Sequence, residues 1–314
     1  MSISFDKSQW ALILGGSSGF GLATAKKLAS CGMSVCVVHR DRRGAMGAIE
    51  PEFKAIQATG VGFQSFNLDA LSAEGRKTVL DALATQLGEH GRIKMLMHSV
   101  AFGNLKLLAP PKGLGDASAK ARTRLAEQLG VSVERLTQAV EACVADADAL
   151  CDLAPAPAYD TDAMLEEEDF ARTVHAMGTS LVSWTQDVLA RGLFASDARV
   201  LGMTSEGNEV AWRGYAAVAA AKVALESVSR AMALELAPHG IRANVVQAGV
   251  TDTPALRLIP GSAQMKAAAR LRNPFARLTT PADVAGVIAL LCTDEAHWIN
   301  GTIVRVDGGE HIAG

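Results

Sequence analysis

In the stretch "RGYAAVAAAKVALE" a phenol, Tyr215, and an ammonium, Lys222, stand seven residues apart in a segment that otherwise reads as buried, Ala-rich helix. Seven residues are close to two helical turns, so a helix through both would project them from one face, about 10 Å apart by rise. An ammonium near a phenol favours the phenolate and can also donate to hydroxyl groups, which turns a group of pKa about 10 into a usable acid. The small residues Ala216, Ala217, Ala219, Ala220, Ala221 and Ala224 would equally let a neighbouring element approach closely, whatever Tyr215 does.

A second pattern lies near the start. "LILGGSSGFGLATAKKLA" places Gly15, Gly19 and Gly21 directly after an apolar run and at the opening of a helical segment. A strand-to-helix turn of this kind brings backbone amides against a pyrophosphate on the positive end of the helix dipole. Dinucleotide binding is therefore expected around Gly15, Ser17, Ser18, Gly19, Phe20 and Gly21. The second apolar run ends in His39, Arg40, Asp41, Arg42 and Arg43. Arginines there suit a ribose 2′-phosphate and predict NADPH over NADH, although Asp41 could itself serve a 2′-hydroxyl and Arg42 and Arg43 also fit a solvated loop. Asn67 and Leu68 follow the third run, where adenine would lie, and Ser99, Val100 and Ala101 follow the fourth.

These groups need a frame. The runs "WALILGG", "MSVCVVH", "VGFQSF", "IKMLMHS", "ARVLGMTS", "IRANVVQAG" and "GTIVRVDGG" alternate with segments of helical length. Alternation of this kind predicts a doubly wound α/β Rossmann fold, a parallel sheet covered on both faces. One domain over 1–314 is expected, with an insertion over 109–160, because roughly seventy residues separate "MLMHSVAF" from "DFARTVHAMG" where a crossover needs a dozen or more. Inside it, Ser132 is placed to cap a helix, and Val133, Leu136, Val140, Cys143, Ala147 and Leu150 form one apolar stripe, predicting a helical hairpin over about Ala117 to Leu153. The hairpin is either packing against the body or a partner subunit, or a lid over a substrate.

Composition is that of an ordinary globular protein, with a formal net charge of −3, which implies no nucleic-acid partner. The five cysteines lack metal-ligand or CxxC spacing, and a reducing cytoplasm suits them. No metal is expected. Neither an export signal nor an apolar run long enough for a membrane span is found.

The glycine loop "GGSSGFG", the run "VSRAMALELAPHGIRANVVQAG" and the closing "TIVRVDGG" together resemble the short-chain dehydrogenase/reductase family from Trp10 to His311, apart from the insertion. Three residues usually separate tyrosine from lysine in that family. Here six do, and "HSVA" replaces the usual "NNAG"; both departures resemble the NADPH-using enoyl-acyl-carrier-protein reductases, as does "TDTPALRLIPG". The resemblance implies hydride delivery to the β carbon of a 2-enoyl thioester, Tyr215 as acid and Lys222 on the nicotinamide ribose. It also implies nicotinamide contacts at Gly249, Thr251 and Thr253, and a homo-tetramer or homo-dimer. The serine usual thirteen residues before the tyrosine is replaced by Gly202, the usual asparagine by Ala176, and Ser205 or Thr204 is left to hold the thioester oxygen. Those losses keep open a carbonyl or 3-oxoacyl reductase with an atypical site, and a non-catalytic NADP(H)-sensing protein. The segment from Thr253 to Ala282 holds no acid but carries Arg257, Lys266, Arg270, Arg272 and Arg277, a patch that would attract an acyl carrier protein or, equally, a set of solvated side chains. His98 is expected to be structural, and Glu166 to Asp169 to stabilise the start of the next helix.

Overall fold

The structure is a computed structural model and describes residues 3–110, 118–145 and 150–313. Each of the seven apolar runs forms a strand: β1 (Gln9–Leu14), β2 (Ser34–His39), β3 (Phe63–Asn67), β4 (Arg92–His98), β5 (Phe194–Ser205), β6 (Ile241–Ala248) and β7 (Ile303–Val306). They pair in parallel in the order β3-β2-β1-β4-β5-β6-β7. Chain order reverses at β1, which pairs with both β2 and β4, and a crevice opens outside the carboxyl ends of strands at such a switch point.

The helices are α1 (Gly19–Ser30), α2 (Met46–Gln57), α3 (Ala73–Leu87), α4 (Ala119–Leu129), α5 (Val133–Ala145), α6 (Glu167–Val174), α7 (Ser180–Ala190), α8 (Ala216–Glu235), α9 (Pro254–Arg257), α10 (Ser262–Arg272) and α11 (Pro281–Leu291). A π-helical turn, His175–Thr179, joins α6 to α7. Both faces of the sheet are covered, and the inner strands β1, β2 and β4 are buried in both of their alternating sets, whereas the edge strand β3 carries polar Gln64, Ser65 and Asn67. Ala11 and Ile13 pack with Leu28 of α1, Phe53 of α2 and Ile288 of α11. Trp10, Leu12 and Leu14 pack on the other face with Leu80 of α3, Trp184 of α7 and Leu225 of α8. Among the described residues no helix is long and apolar enough to cross a membrane.

The insertion contains the expected hairpin, α4 followed by α5, with Ser132 Oγ accepting from the Arg135 amide at 3.2 Å. Ala117 and Ala147 lie outside the described residues. Of the stripe, Val140 is buried, Leu136 packs beside it and Cys143 is half-buried, while Leu150 is exposed; Val144, outside the predicted stripe, is buried with Val140. As expected, Glu166 and Asp169 form a reciprocal cap at the start of α6.

Candidate active site

The switch point opens into a cavity of about 490 Å³ that runs from the glycine loop past the ends of β2, β4, β5 and β6. Gly15, Ser17, Ser18, Gly19 and Phe20 form one wall. Gly15 stands at φ +83°, and a β carbon there would lie 2.4 Å from the Ser99 carbonyl oxygen. Gly21 does not line the cavity; a side chain on it would strike the Gly15 carbonyl at 2.1 Å, so its role is to let α1 sit against the loop. The first turn of α1 holds no acid, and Ser18 at its start makes no side-chain cap, which leaves the amides and the helix dipole available to an anion. A cradle that side chains would fill, ending on an uncompensated helix start, fits a dinucleotide pyrophosphate.

At the far end the cavity is bounded by His39, Arg40, Asp41, Leu68 and Asp69. His39 Nδ1 is 2.8 Å from Asp41 Oδ2. Asn67 does not reach the cavity: it accepts from the Asp41 amide at 2.9 Å and donates to the Asp41 carbonyl at 3.0 Å, so it pins the loop. The Arg40 guanidinium is 4.9 Å from the ring centre of Phe102 and 3.7 Å from Asp69. Arg42 and Arg43 are exposed and outside the lining.

Tyr215, Lys222 and Ser205 all line the middle of the cavity, but not as two turns of one helical face. Tyr215 precedes α8, with non-helical φ −110° and ψ 3°, so it stands at the mouth of the helix while Lys222 lies inside it. Lys222 Nζ donates to the Met203 carbonyl at 2.8 Å. Burial pushes the Lys222 pKa down to about 8, against the opposing pull of Glu226. The expected lowering of the phenol by the lysine is also corrected: burial raises the Tyr215 pKa, and the nearby Ser205 hydroxyl works in the opposite direction. That hydroxyl is close enough to act on the phenol electrostatically, yet Ser205 Oγ is buried without a hydrogen bond of ordinary geometry. A protonated phenol beside an unengaged hydroxyl is a ready pair of donors for a substrate oxygen.

Gly202 lies within β5, and a β carbon there would come within 3.0 Å of Leu225 on α8, so the position serves packing. Counting from Lys222 instead puts Val218 at the usual tyrosine position and Ser205 thirteen residues before it. Thr204 is not free for a substrate, because its hydroxyl is 2.5 Å from Glu226 Oε1, which also accepts from Asn208 Nδ2 at 2.7 Å. Sequence reading did not single out Glu226; its place four residues after Lys222, one turn along the same face, was the available signal.

Ala176, at the expected asparagine position, is buried in the π-helical turn, and its carbonyl accepts from Ser180 Oγ at 3.2 Å. Ser180 Oγ is in turn 2.9 Å from His98 Nε2. Burial, with the Lys222 charge nearby, pushes the His98 pKa down to about 3, in keeping with a structural role. Ser99, Val100, Ala101, Gly249, Thr251 and Thr253 line the wall between the tyrosine and the glycine loop. Thr251 Oγ1 donates to the Gly249 carbonyl, and Thr253 Oγ1 caps α9 through the Leu256 amide.

The expected basic patch is largely neutralised by acids from outside its own segment. Arg257 and Lys266 reach Asp252 at 2.9 and 3.6 Å, Arg272 reaches Glu206 and Glu310 at 2.7 and 3.1 Å, and Arg277 reaches Asp283 at 2.7 Å. The remaining half of the cavity, beyond Tyr215, is apolar, with Leu105, Met177, Trp212, Val218, Ile259 and Met265 among its walls.

The family model described as enoyl-(acyl carrier protein) reductase matches residues 130–311, and the short chain dehydrogenase model matches residues 9–112. An uncharacterized oxidoreductase of Methylorubrum extorquens is 25% identical over 303 residues, 95% of this chain and 96% of that protein. Protein FixR of Bradyrhizobium diazoefficiens is 35% identical over 40% of this chain, a match that spans 45% of FixR. The NADH-dependent enoyl-[acyl-carrier-protein] reductase FabI of Aquifex aeolicus is 33% identical over 43% of this chain and half of its own length. A crystal structure of the enoyl-[acyl-carrier-protein] reductase (NADH) from that organism superposes with a TM-score of 0.71 at 22% identity, covering 99% of this chain and 98% of the other. With both family models matched in sequence order on a seven-stranded parallel sheet, this chain belongs to the short-chain dehydrogenase/reductase superfamily.

Proposed function

We propose that this oxidoreductase reduces the C=C bond of a 2-enoyl thioester, with NADPH as the reductant. The observation that carries the reading is the placement of Tyr215 ahead of α8, seven residues before Lys222, at the border between the dinucleotide-shaped wall and the apolar half of the cavity. Gly15, Ser17, Ser18, Gly19 and Phe20 would hold the pyrophosphate, Arg40 the 2′-phosphate, Leu68 the adenine, Lys222 the nicotinamide ribose, and Gly249, Thr251 and Thr253 the carboxamide side. The bound dinucleotide supplies a hydride.

Hydride at the β carbon throws negative charge onto the thioester carbonyl oxygen, to which the Tyr215 phenol donates a hydrogen bond, and a proton taken up at the α carbon then completes the saturated thioester. The raised pKa of Tyr215 keeps the phenol protonated for that task. The buried Ser205 hydroxyl offers a second donor to the same oxygen. Lys222, held by the Met203 carbonyl, places a positive charge on the cofactor side. The apolar walls receive the acyl chain and keep water from the reacting carbons. Arg40 supports NADPH even though the Aquifex relative is, by its name, NADH-dependent.

A second reading, reduction of a 3-oxoacyl or other carbonyl group, is favoured by Ser205, whose hydroxyl at the end of β5 lies beside the Tyr215 phenol in the cavity. The two readings separate when NADPH consumption is followed with crotonyl-CoA and with acetoacetyl-CoA. Turnover of the enoyl thioester alone, lowered about 10²-fold or more in Tyr215→Phe, supports the first. Turnover of acetoacetyl-CoA alone transfers the assignment to carbonyl reduction.

A further inference from the structure

The inserted hairpin does not cover the cavity: none of its described residues lines it. Its apolar stripe is turned instead onto α10. Val140 and Val144 of α5, with Ala154 from the return limb, bury Ala267, and Ala263 packs beside them. The return limb lies along the same helix, where Gln264 Nε2 donates to the Pro155 carbonyl at 3.3 Å. Gly261, just before α10, is at φ +81°, and a β carbon there would fall 2.6 Å from Pro157 Cγ, so this glycine makes room for the limb.

Successive residues on a helix are rotated by about 100°, so Met265 points about 200° away from both Ala263 and Ala267. Met265 is a wall of the cavity, as is Ile259 just upstream. Helix α10 is thus a partition one helix thick, with the hairpin on one side and the apolar half of the cavity on the other. The glycine loop lies between β1 and α1, neither of which contributes a described residue to the hairpin's packed cluster; α10 is linked toward the Thr251–Thr253 wall by the pair Lys266–Asp252 at 3.6 Å.

We infer that the hairpin is a specificity-determining element that acts through α10: it sets the position of Met265 and so the space available to the acyl group, while leaving the cofactor half unchanged. This rests on the reading that the apolar half of the cavity receives the substrate. Packed interiors shift as discrete units, so loosening one face of a thin partition moves the other.

The test is the double variant Val140→Ala/Val144→Ala beside Gln264→Ala, which cuts a single contact and spares the fold if the double variant does not. Hydrogen exchange over 262–272, NADPH affinity, and KM with whichever thioester the wild type reduces are measured together. The expected result is faster exchange in α10 with none in α1, a rise of about three- to tenfold in thioester KM, and an unchanged NADPH affinity. Unchanged α10 exchange overturns the inference, as does unchanged KM despite faster exchange, or a parallel loss of NADPH affinity. Should the wild type reduce no thioester, the function proposed above fails, and the exchange data for α10 against α1 with the NADPH titration alone sustain or overturn the coupling.

Discussion

The ammonium of Lys222 donates to the main-chain carbonyl of Met203 across 2.8 Å, and this bond ties the second turn of α8 to the strand that ends at Ser205. Both residues line the cavity, so the bond holds a positive charge between the glycine loop and Tyr215. A buried charge with one carbonyl partner is destabilising in the cofactor-free chain, and it is retained against that cost.

Replacing Lys222 with Met should therefore abolish turnover without lowering the melting temperature. Its pH dependence has a definite sign. With the folded pKa near 8 and the ordinary value at 10.5, the unfolded chain binds more protons between them, so wild-type stability rises relative to Lys222→Met as pH climbs through that window. Urea unfolding of both proteins at pH 7 and pH 10 measures this; a constant difference between them would show that the ammonium is not desolvated.

Gly207 is the nearest test of where Tyr215 must stand. A β carbon at Gly207 would lie 2.5 Å from Cε1 of the Tyr215 ring. Gly207→Ala should displace the phenol by a fraction of an ångström or more and lower kcat by about 10²-fold, with cofactor affinity retained. Steady-state kinetics together with a cofactor titration separate this from a general loss of folding.

Cofactor choice is expected to turn on Arg40. On the proposed NADPH reading, Arg40→Ala would remove a charge-assisted contact to the 2′-phosphate and should raise the KM for NADPH about tenfold or more while changing that for NADH little. Equal effects on both cofactors would reassign Arg40 to its contacts with Phe102 and Asp69.

His98 provides a second titration outside the reacting groups. Its pKa falls from 6.5 to about 3 because it is buried neutral against Ser180, so below pH 6.5 the unfolded chain binds the extra proton. Stability should fall on acidification by up to about 1.4 kcal/mol per pH unit across that window. His98→Gln, compared by denaturant unfolding at pH 7 and pH 5, should be less acid-sensitive than wild type.

The inner strands were legible in the sequence because each is a short, mostly apolar run that is buried on both faces, a local property that survives whatever the rest of the chain does; β3, with Gln64 and Ser65 inside it, carries that signal more weakly. The glycine loop was legible for the same reason, since a tight turn with close backbone approach excludes side chains at Gly15 wherever the chain is found. The hairpin could be read from its stripe and from Ser132.

Tertiary structure decided the rest. An Ala-rich segment has no marked helix start, and Tyr215 caps α8 without a side-chain bond, so nothing local separated it from the helix that follows. The register of Ser205 depended on where β5 meets α8, not on its distance from the tyrosine. Arg272 finds its acids at Glu206 and Glu310, far from it in sequence, which made a balanced network look like a basic patch. The stripe of the hairpin announced that it must be covered, but its partner, Ala267, lies more than a hundred residues downstream. Periodicity reports that a face is apolar; which surface covers it is a long-range contact, and only the folded chain brings the two together.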